Sequence, residues 1–211
     1  MPVLSRRAEA PEARQGNDDL VSATVSLLAE GSSYADLSIG QIAERAGRTR
    51  TAFYFYFRDK RDLLVKATEH IVAGLYDEAN RWWSGDGGRE DLDIALRNIL
   101  ITYRDQASLL RAVVEASTYD EEIGTFWRTV VGRFIEATEA RLAADGRGPG
   151  QAHAKAFVLV WMAERAGYQQ VVRGGQLDDN ALVEALVEVW EQAVYSPLGG
   201  PPAVGMTSQM L

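Results

Sequence analysis

The chain has 211 residues with 46% hydrophobic content, enough for a buried core and too apolar for wholesale disorder. It has no cysteine, which excludes disulfides, thiolate metal sites and thiol nucleophiles. Its two histidines, His70 and His153, lie far apart without HExxH-type spacing, so no metal or cofactor is expected. A net charge of -8 argues against a nucleic-acid binder until its distribution is read. Residues 45–61 hold Arg45, Arg48, Arg50, Arg58, Lys60 and Arg61 against Asp59 alone, a local balance of +5 on an acidic body.

Residues 1–17 are polar, contain Pro2, Pro11 and Gly16, and read as a flexible arm. Arg6, Arg7 and Arg14 in it either reach phosphate or stay solvated. There is no apolar signal region at the start and no run of about 18 uncharged apolar residues. A cytoplasmic protein without a membrane span is the expectation. From Asp18 to Glu30, Leu20, Val21, Ala23, Thr24, Leu27 and Leu28 recur at helical spacing and predict a first helix ended near Gly31. Ser38 with Gln41 three residues on is a capping-box pattern for a second helix, stopped by Ala46–Gly47. Thr49 is the expected N-cap of a third, short helix reaching Phe55 or Tyr56. Asp59 caps a long fourth helix, with Asp62 supporting its N-terminus, that runs towards Trp82 and Trp83.

SGDGG at 84–88 reads as a loop. Further helices are expected over about 89–104, 108–116, 120–144, 151–172 and 180–195. The Gly- and Pro-rich segment 197–211 reads as a flexible tail. With no strand pattern and no repeat, the chain is predicted to be all-α, with about nine helices. The expected divisions are an arm (1–17), a three-helix helix-turn-helix domain (18–64), a helical bundle for ligand binding and dimerisation (65–196) and a tail (197–211).

A helix-turn-helix needs two closely crossing helices, the second presenting its N-terminal residues to the major groove. Ala43, Ala46 and Gly47 supply small residues at the crossing, and Gly47 tolerates the left-handed conformation a tight turn requires. Phe53 and Phe57 are spaced to bury one face. Arg48, Thr49, Arg50, Thr51 and Tyr54 then fall on or near the other. Arg50 suits a bidentate contact to guanine, and the methyl groups of Thr51 and Ala52 suit a thymine methyl. Tyr54 and Thr49 suit phosphate oxygens. Of Phe55 and Tyr56, Phe55 is expected to be exposed. Lys60, at the start of the fourth helix, adds charge beside N–H groups that favour an anion. Taken singly, Arg48 and Arg50 read equally well as solvated charges.

The pattern LSIGQIAERAGRTRTAFYFYFRDKRDLL closely resembles the DNA-binding domain of the TetR family of transcriptional repressors. That resemblance implies a homodimer on a palindromic operator, released when a small molecule binds the C-terminal domain. It implies DNA-facing roles for Arg50, Thr51, Ala52, Tyr54 and Phe55, and a phosphate contact for Lys60. Arg48 departs from the family's small apolar residue and either adds a phosphate contact or snorkels to solvent.

Several later fragments, EEIGTFWRTVVGRFIE, WMAERAGY and LVEVWEQAVY, are similar to the EthR-like subgroup, whose members carry a long apolar pocket. The similarity implies a lining of Tyr103, Trp127, Phe134, Tyr168 and Trp190. Val160 and Ala163 stand where that subgroup has ligand-orienting asparagines, so ligand identity does not carry over. From the residues alone, Leu100, Tyr103, Trp127, Val131, Phe134, Phe157, Trp161, Tyr168 and Trp190 form either a plain aromatic core or the lining of an apolar effector site. Asn98, Thr102, Glu164 and Gln169 are its candidate polar hooks.

Ala154, Phe157, Val158, Trp161 and Ala166 on the eighth helix, with Leu182, Ala185, Leu186, Val189 and Ala193 on the ninth, are expected to supply a two-fold dimer interface. The expectation is a DNA-binding repressor released by a small apolar effector. Two competing readings are an enzyme using the apolar pocket, for which no catalytic spacing is present, and a helical protein-interaction module whose basic patch meets an acidic partner.

Overall fold

The computed structural model describes residues 11–84, 88–144, 146, 148–175 and 177–195. Among these the chain is all-α: α1 (Pro11–Ala29), α2 (Ile39–Arg45), α3 (Arg50–Tyr56), α4 (Lys60–Ser84), α5 (Arg89–Asp105), α6 (Ala107–Ala116), α7 (Glu121–Ala144), α8 (Pro149–Val172) and α9 (Asp179–Tyr195). The expected helices are all present, most with ends within a residue or two of the sequence reading. The expected tail over 197–211 lies outside the described residues, as do Arg6 and Arg7.

The main correction is at the start. Residues 11–17, expected to be part of a flexible arm, are the first two turns of α1. Pro11 occupies the first helical position, where its missing N–H costs nothing. Gly16, a weak helix former, is held by tertiary contact: the Tyr56 ring lies so close that any Cβ there would overlap it.

α1, α2, α3 and the first turn of α4 share a small core of Leu20, Ile42, Phe53, Phe57 and Leu63. Leu20, Ile42, Phe53 and Leu63 have no exposed surface, and each such burial contributes about 1.5–3 kcal/mol. A second, larger core runs through α4–α9 and also takes Leu28, Tyr34 and Leu37 from the N-terminal unit. The two units are therefore joined by packing as well as by the chain. Arg61 adds a charged link, lying 3.4 Å from Glu122 and 3.8 Å from Asp120 at the start of α7.

Cross-helix contacts fix the directions within the bundle. The ends of α4, α7 and α9 meet, with Trp83 Nε1 donating to Thr138 Oγ1 at 3.1 Å and Trp82 packed edge-on against Trp190 at 5.4 Å. The end of α5 meets the start of α9 through Arg104 and Asp179, at 2.6 Å.

Candidate nucleic-acid interface and apolar cavity

The turn between α2 and α3 is built as its sequence requires. Ser38 accepts from Gln41 N, and the Gln41 side chain in turn accepts from Ser38 N, a reciprocal capping box. At the other end Gly47 takes φ +65. The Arg48 N–H then reaches Ala43 O at 2.8 Å and the Gly47 N–H reaches Glu44 O at 3.0 Å, a Schellman closure. Thr49 caps α3, its Oγ1 accepting from Ala52 N at 3.1 Å.

One turn of α3 then separates its faces. Phe53 is fully buried, while Tyr54 is 50% and Phe55 83% exposed. Tyr56 is half-buried against Gly16. The exposure of Phe55 rather than Tyr56 agrees with the sequence reading. Thr49, Arg50 and Thr51 are exposed beside Tyr54 and Phe55, and Ala52 is half-buried. Phe55 and the half-exposed Tyr54 form an adjacent pair of exposed aromatics on this seven-residue helix.

Two of the expected DNA contacts are placed otherwise. Lys60 does not extend its ammonium outward. Nζ donates to Tyr34 O at 2.7 Å, Leu37 O at 2.8 Å and Ala35 O at 3.2 Å, using all three donors. It also sits over the Tyr34 ring, 4.5 Å from the centroid. Partial burial lowers its pKa, partly opposed by Asp36. Lys60 therefore ties the loop before α2 to the head of α4. Arg48 likewise turns back, pairing with Asp19 of α1 at 2.7 Å and lying over the Tyr56 ring at 5.8 Å. Arg45 is doubly bonded to Glu30 at 2.6 and 2.7 Å, and Arg61 faces Asp59 at 3.0 Å.

Folding thus matches part of the local +5, pairing Arg45 with Glu30 and Arg48 with Asp19. Among the described residues Arg50 makes no ion pair, and Lys60, also without one, is held by carbonyls instead. Arg58, its side chain 77% exposed, is only loosely matched by Asp62 at 3.7 Å.

Behind this unit, α4, α5, α7, α8 and α9 line an apolar cavity of about 100 Å³. Leu100, Tyr103, Trp127, Val131, Phe134 and Trp190 line it, as expected for six of the eight candidates. Trp161 and Tyr168 do not. They border a separate, more polar depression outside the bundle, together with Arg128, Arg165 and Arg173. The reason is helical phase: Tyr168 is one residue past Gly167, which does line the cavity and against which Tyr103 packs.

Sequence reasoning missed the contribution of α4. Leu75, Ala79, Trp82 and Trp83 form one wall, and Leu92 and Leu96 of α5 continue it. Adjacent tryptophans at the end of a long amphipathic helix were the available signal. Of the candidate hooks, Glu164 alone lines the cavity. Asn98 donates to Glu78 at 2.7 Å, Gln169 borders the outer depression and Thr102 lines neither.

Burial raises the pKa of Glu164, opposed in part by Arg165. Burial likewise pushes the Tyr103 phenol up, helped by Glu164. Among the described residues no cluster of three or more His or acidic side chains is placed to hold a metal, and no helix is long and apolar enough to cross a membrane.

This two-part arrangement has clear counterparts. Residues 20–67 match the family described as bacterial regulatory proteins, tetR family, and residues 92–196 match the transcriptional regulator EthR, C-terminal domain. The chain is 28% identical over 196 residues to the HTH-type transcriptional regulator EthR of Mycobacterium tuberculosis, covering 87% of this chain and 90% of that protein. It is 25% identical over 198 residues to its namesake in Mycolicibacterium smegmatis, covering 88% and 91%. In fold it is similar to the fatty acid degradation regulator FadR of Bacillus halodurans, with TM-score 0.70 at 16% identity, covering 92% of this chain and 100% of that one. It is also similar to a tetR-family transcriptional regulator of Streptomyces coelicolor, with TM-score 0.68 at 17% identity, covering 85% and 80%. Matched at both ends and along most of its length, the chain belongs to the TetR family of transcriptional regulators, with an EthR-like C-terminal half.

Proposed function

We propose that this regulator is a cytoplasmic repressor that binds a palindromic operator as a homodimer and releases it when an elongated apolar molecule fills the cavity. The observation that carries this reading is the continuity of α4. It is one helix of 25 residues, about 37 Å long at 1.5 Å per residue. Its first turn is locked to the DNA-binding unit by Lys60 and by Leu63 in the shared core, and its last turns wall the cavity through Leu75, Ala79, Trp82 and Trp83. A ligand that spreads the cavity walls moves the far end of α4, and the near end carries the recognition helix with it. Such coupling requires different ligand affinity for the two states, typically about 1–3 kcal/mol.

On DNA, Arg50, Thr51, Ala52, Tyr54 and Phe55 are the proposed groove-facing residues, with Thr49 at phosphate. Two recognition helices would enter successive major grooves about 34–36 Å apart. Exposed Phe157 and Val158 on α8 and Val189 on α9 support pairing through these two helices. The test is a fluorescence-anisotropy titration against DNA from the promoter region flanking the protein's own coding sequence, at several salt concentrations, followed by addition of apolar ligands. Absence of salt-sensitive, sequence-selective binding there and in a genomic selection would refute the repressor reading.

A further inference from the structure

We infer that the cavity's occupant is a neutral, elongated molecule ending in an unsubstituted carboxamide, seated on the carboxyl of Glu164. This rests on the effector reading above and adds the chemical class of the ligand. The cavity walls are almost wholly aliphatic and aromatic, yet three polar side chains set in them are at least nine-tenths buried and lack a hydrogen-bond partner. These are both oxygens of Glu164, which is 7% exposed, and the indole N–H groups of Trp127 and Trp190, each 5% exposed. Buried polar groups are ordinarily paired. Arg165 Nε makes a long ion pair with Glu164 Oε2 at 3.6 Å, too far for a hydrogen bond, from a side chain that is half exposed.

The groups are not spread evenly. Glu164 lies at the end of the cavity formed by Tyr103 and Gly167, and Trp127 borders both that end and the outer depression beside Tyr168. Trp190 lies at the opposite end with Trp82, Trp83 and Thr138. The ligand therefore carries its main polar group at one end of an apolar body.

The state of Glu164 selects that group. Burial among apolar walls favours the protonated carboxyl, which presents one O–H donor and one carbonyl acceptor side by side. A primary carboxamide presents the complementary acceptor and donor at the same spacing and satisfies both oxygens at once. The unpartnered Trp127 N–H is a further donor in the cavity wall. An ester or ketone accepts but does not donate, which leaves one Glu164 oxygen unpaired. A protonated amine makes a buried ion pair, whose desolvation is not offset where the surrounding walls offer few further hydrogen bonds.

The test is a tryptophan-fluorescence titration of the full chain with decanamide, N,N-dimethyldecanamide and decylamine, in the wild type, Glu164→Gln and Glu164→Leu. Wild type is expected to bind decanamide about five-fold more tightly than the dimethyl analogue, the effect of the one N–H···O hydrogen bond that the dimethyl amide cannot make. Glu164→Gln keeps the preference, because a glutamine amide offers the same donor–acceptor pair, and Glu164→Leu loses it. Equal wild-type binding of the two amides overturns the inference, as does a preference that survives in Glu164→Leu. So does tighter binding of decylamine that disappears in Glu164→Gln, which marks a carboxylate–ammonium site. Release of operator DNA by any of the three probes leaves the repressor reading standing even where the amide preference fails. Binding of none of them overturns the inference, and the anisotropy titration then decides the repressor reading separately.

Discussion

Replacing Lys60 by methionine separates a structural lysine from a DNA contact. The substitution keeps the length and apolar stem of the side chain and removes the ammonium. In the folded chain Nζ bonds the part-buried carbonyls of Tyr34 and Leu37 at 2.7 and 2.8 Å, and the exposed carbonyl of Ala35 at 3.2 Å. A hydrogen bond from a charged donor contributes about 1.5–3 kcal/mol. Taking the low end for the two part-buried bonds, nothing for the exposed one, and roughly 1 kcal/mol for the cation over Tyr34 gives about 4 kcal/mol. Water reaching the freed carbonyls reduces this, so K60M is expected to cost about 2–4 kcal/mol, a large part of a typical total of roughly 5–15 kcal/mol.

The assay is guanidinium denaturation followed by circular dichroism at fixed protein concentration, since a dimer's apparent stability depends on it. Operator binding is measured in parallel, at a temperature where the variant is folded. Because the ammonium is fully used within the chain, the slope of log affinity against log salt should be unchanged. A variant of wild-type stability whose slope falls by about 0.9, one phosphate contact, would show that Lys60 faces DNA instead of the Tyr34 loop.

Four further outcomes are expected. Arg50→Ala should relax operator selectivity by about 1–3 kcal/mol in anisotropy titrations while leaving the denaturation midpoint unchanged, since its side chain has no ion pair among the described residues. Phe55→Ala, at an 83% exposed position, should alter stability by no more than about 0.5 kcal/mol and yet weaken operator binding. A loss of stability there would place the ring in a core. Gly47→Ala should cost about 1–2 kcal/mol, read in the melting temperature, because the turn holds φ at +65.

For Glu164 the folded-state pKa lies above the carboxyl's ordinary 4.5, so the native state binds more protons than the unfolded chain in that window. The group therefore favours folding least at high pH. The stability of Glu164→Gln relative to wild type should rise as pH increases from 4.5 through the raised folded value, then level off. A relative stability independent of pH over that range would place the carboxyl in water.

Much of the fold and of one site is legible in the sequence. Ser38 and Gln41, Gly47, Thr49 and Asp59 act through backbone groups within a few residues, so their roles follow from local chemistry, and each caps or turns as read. The periodic apolar positions of the bundle are likewise local, which is why helix ends agree closely. The errors share one cause, which is distance in sequence. Residues 11–17 are helical, and Gly16 among them packs against Tyr56 forty positions on. Arg48 is occupied by Asp19, Arg45 by Glu30 and Lys60 by the carbonyls around Tyr34, none of which a run of charges discloses.

The cavity divides in the same way. Its aromatic content was evident, but Tyr168 and Trp161 point elsewhere while Trp82 and Trp83 join the lining. Composition and periodicity determined that this chain is helical and carries a helix-turn-helix. Which cations are paired within the chain, and which carboxyl lies in the cavity wall without a hydrogen-bond partner, were decided only by tertiary structure. Long-range pairing alone sets which charges are already satisfied.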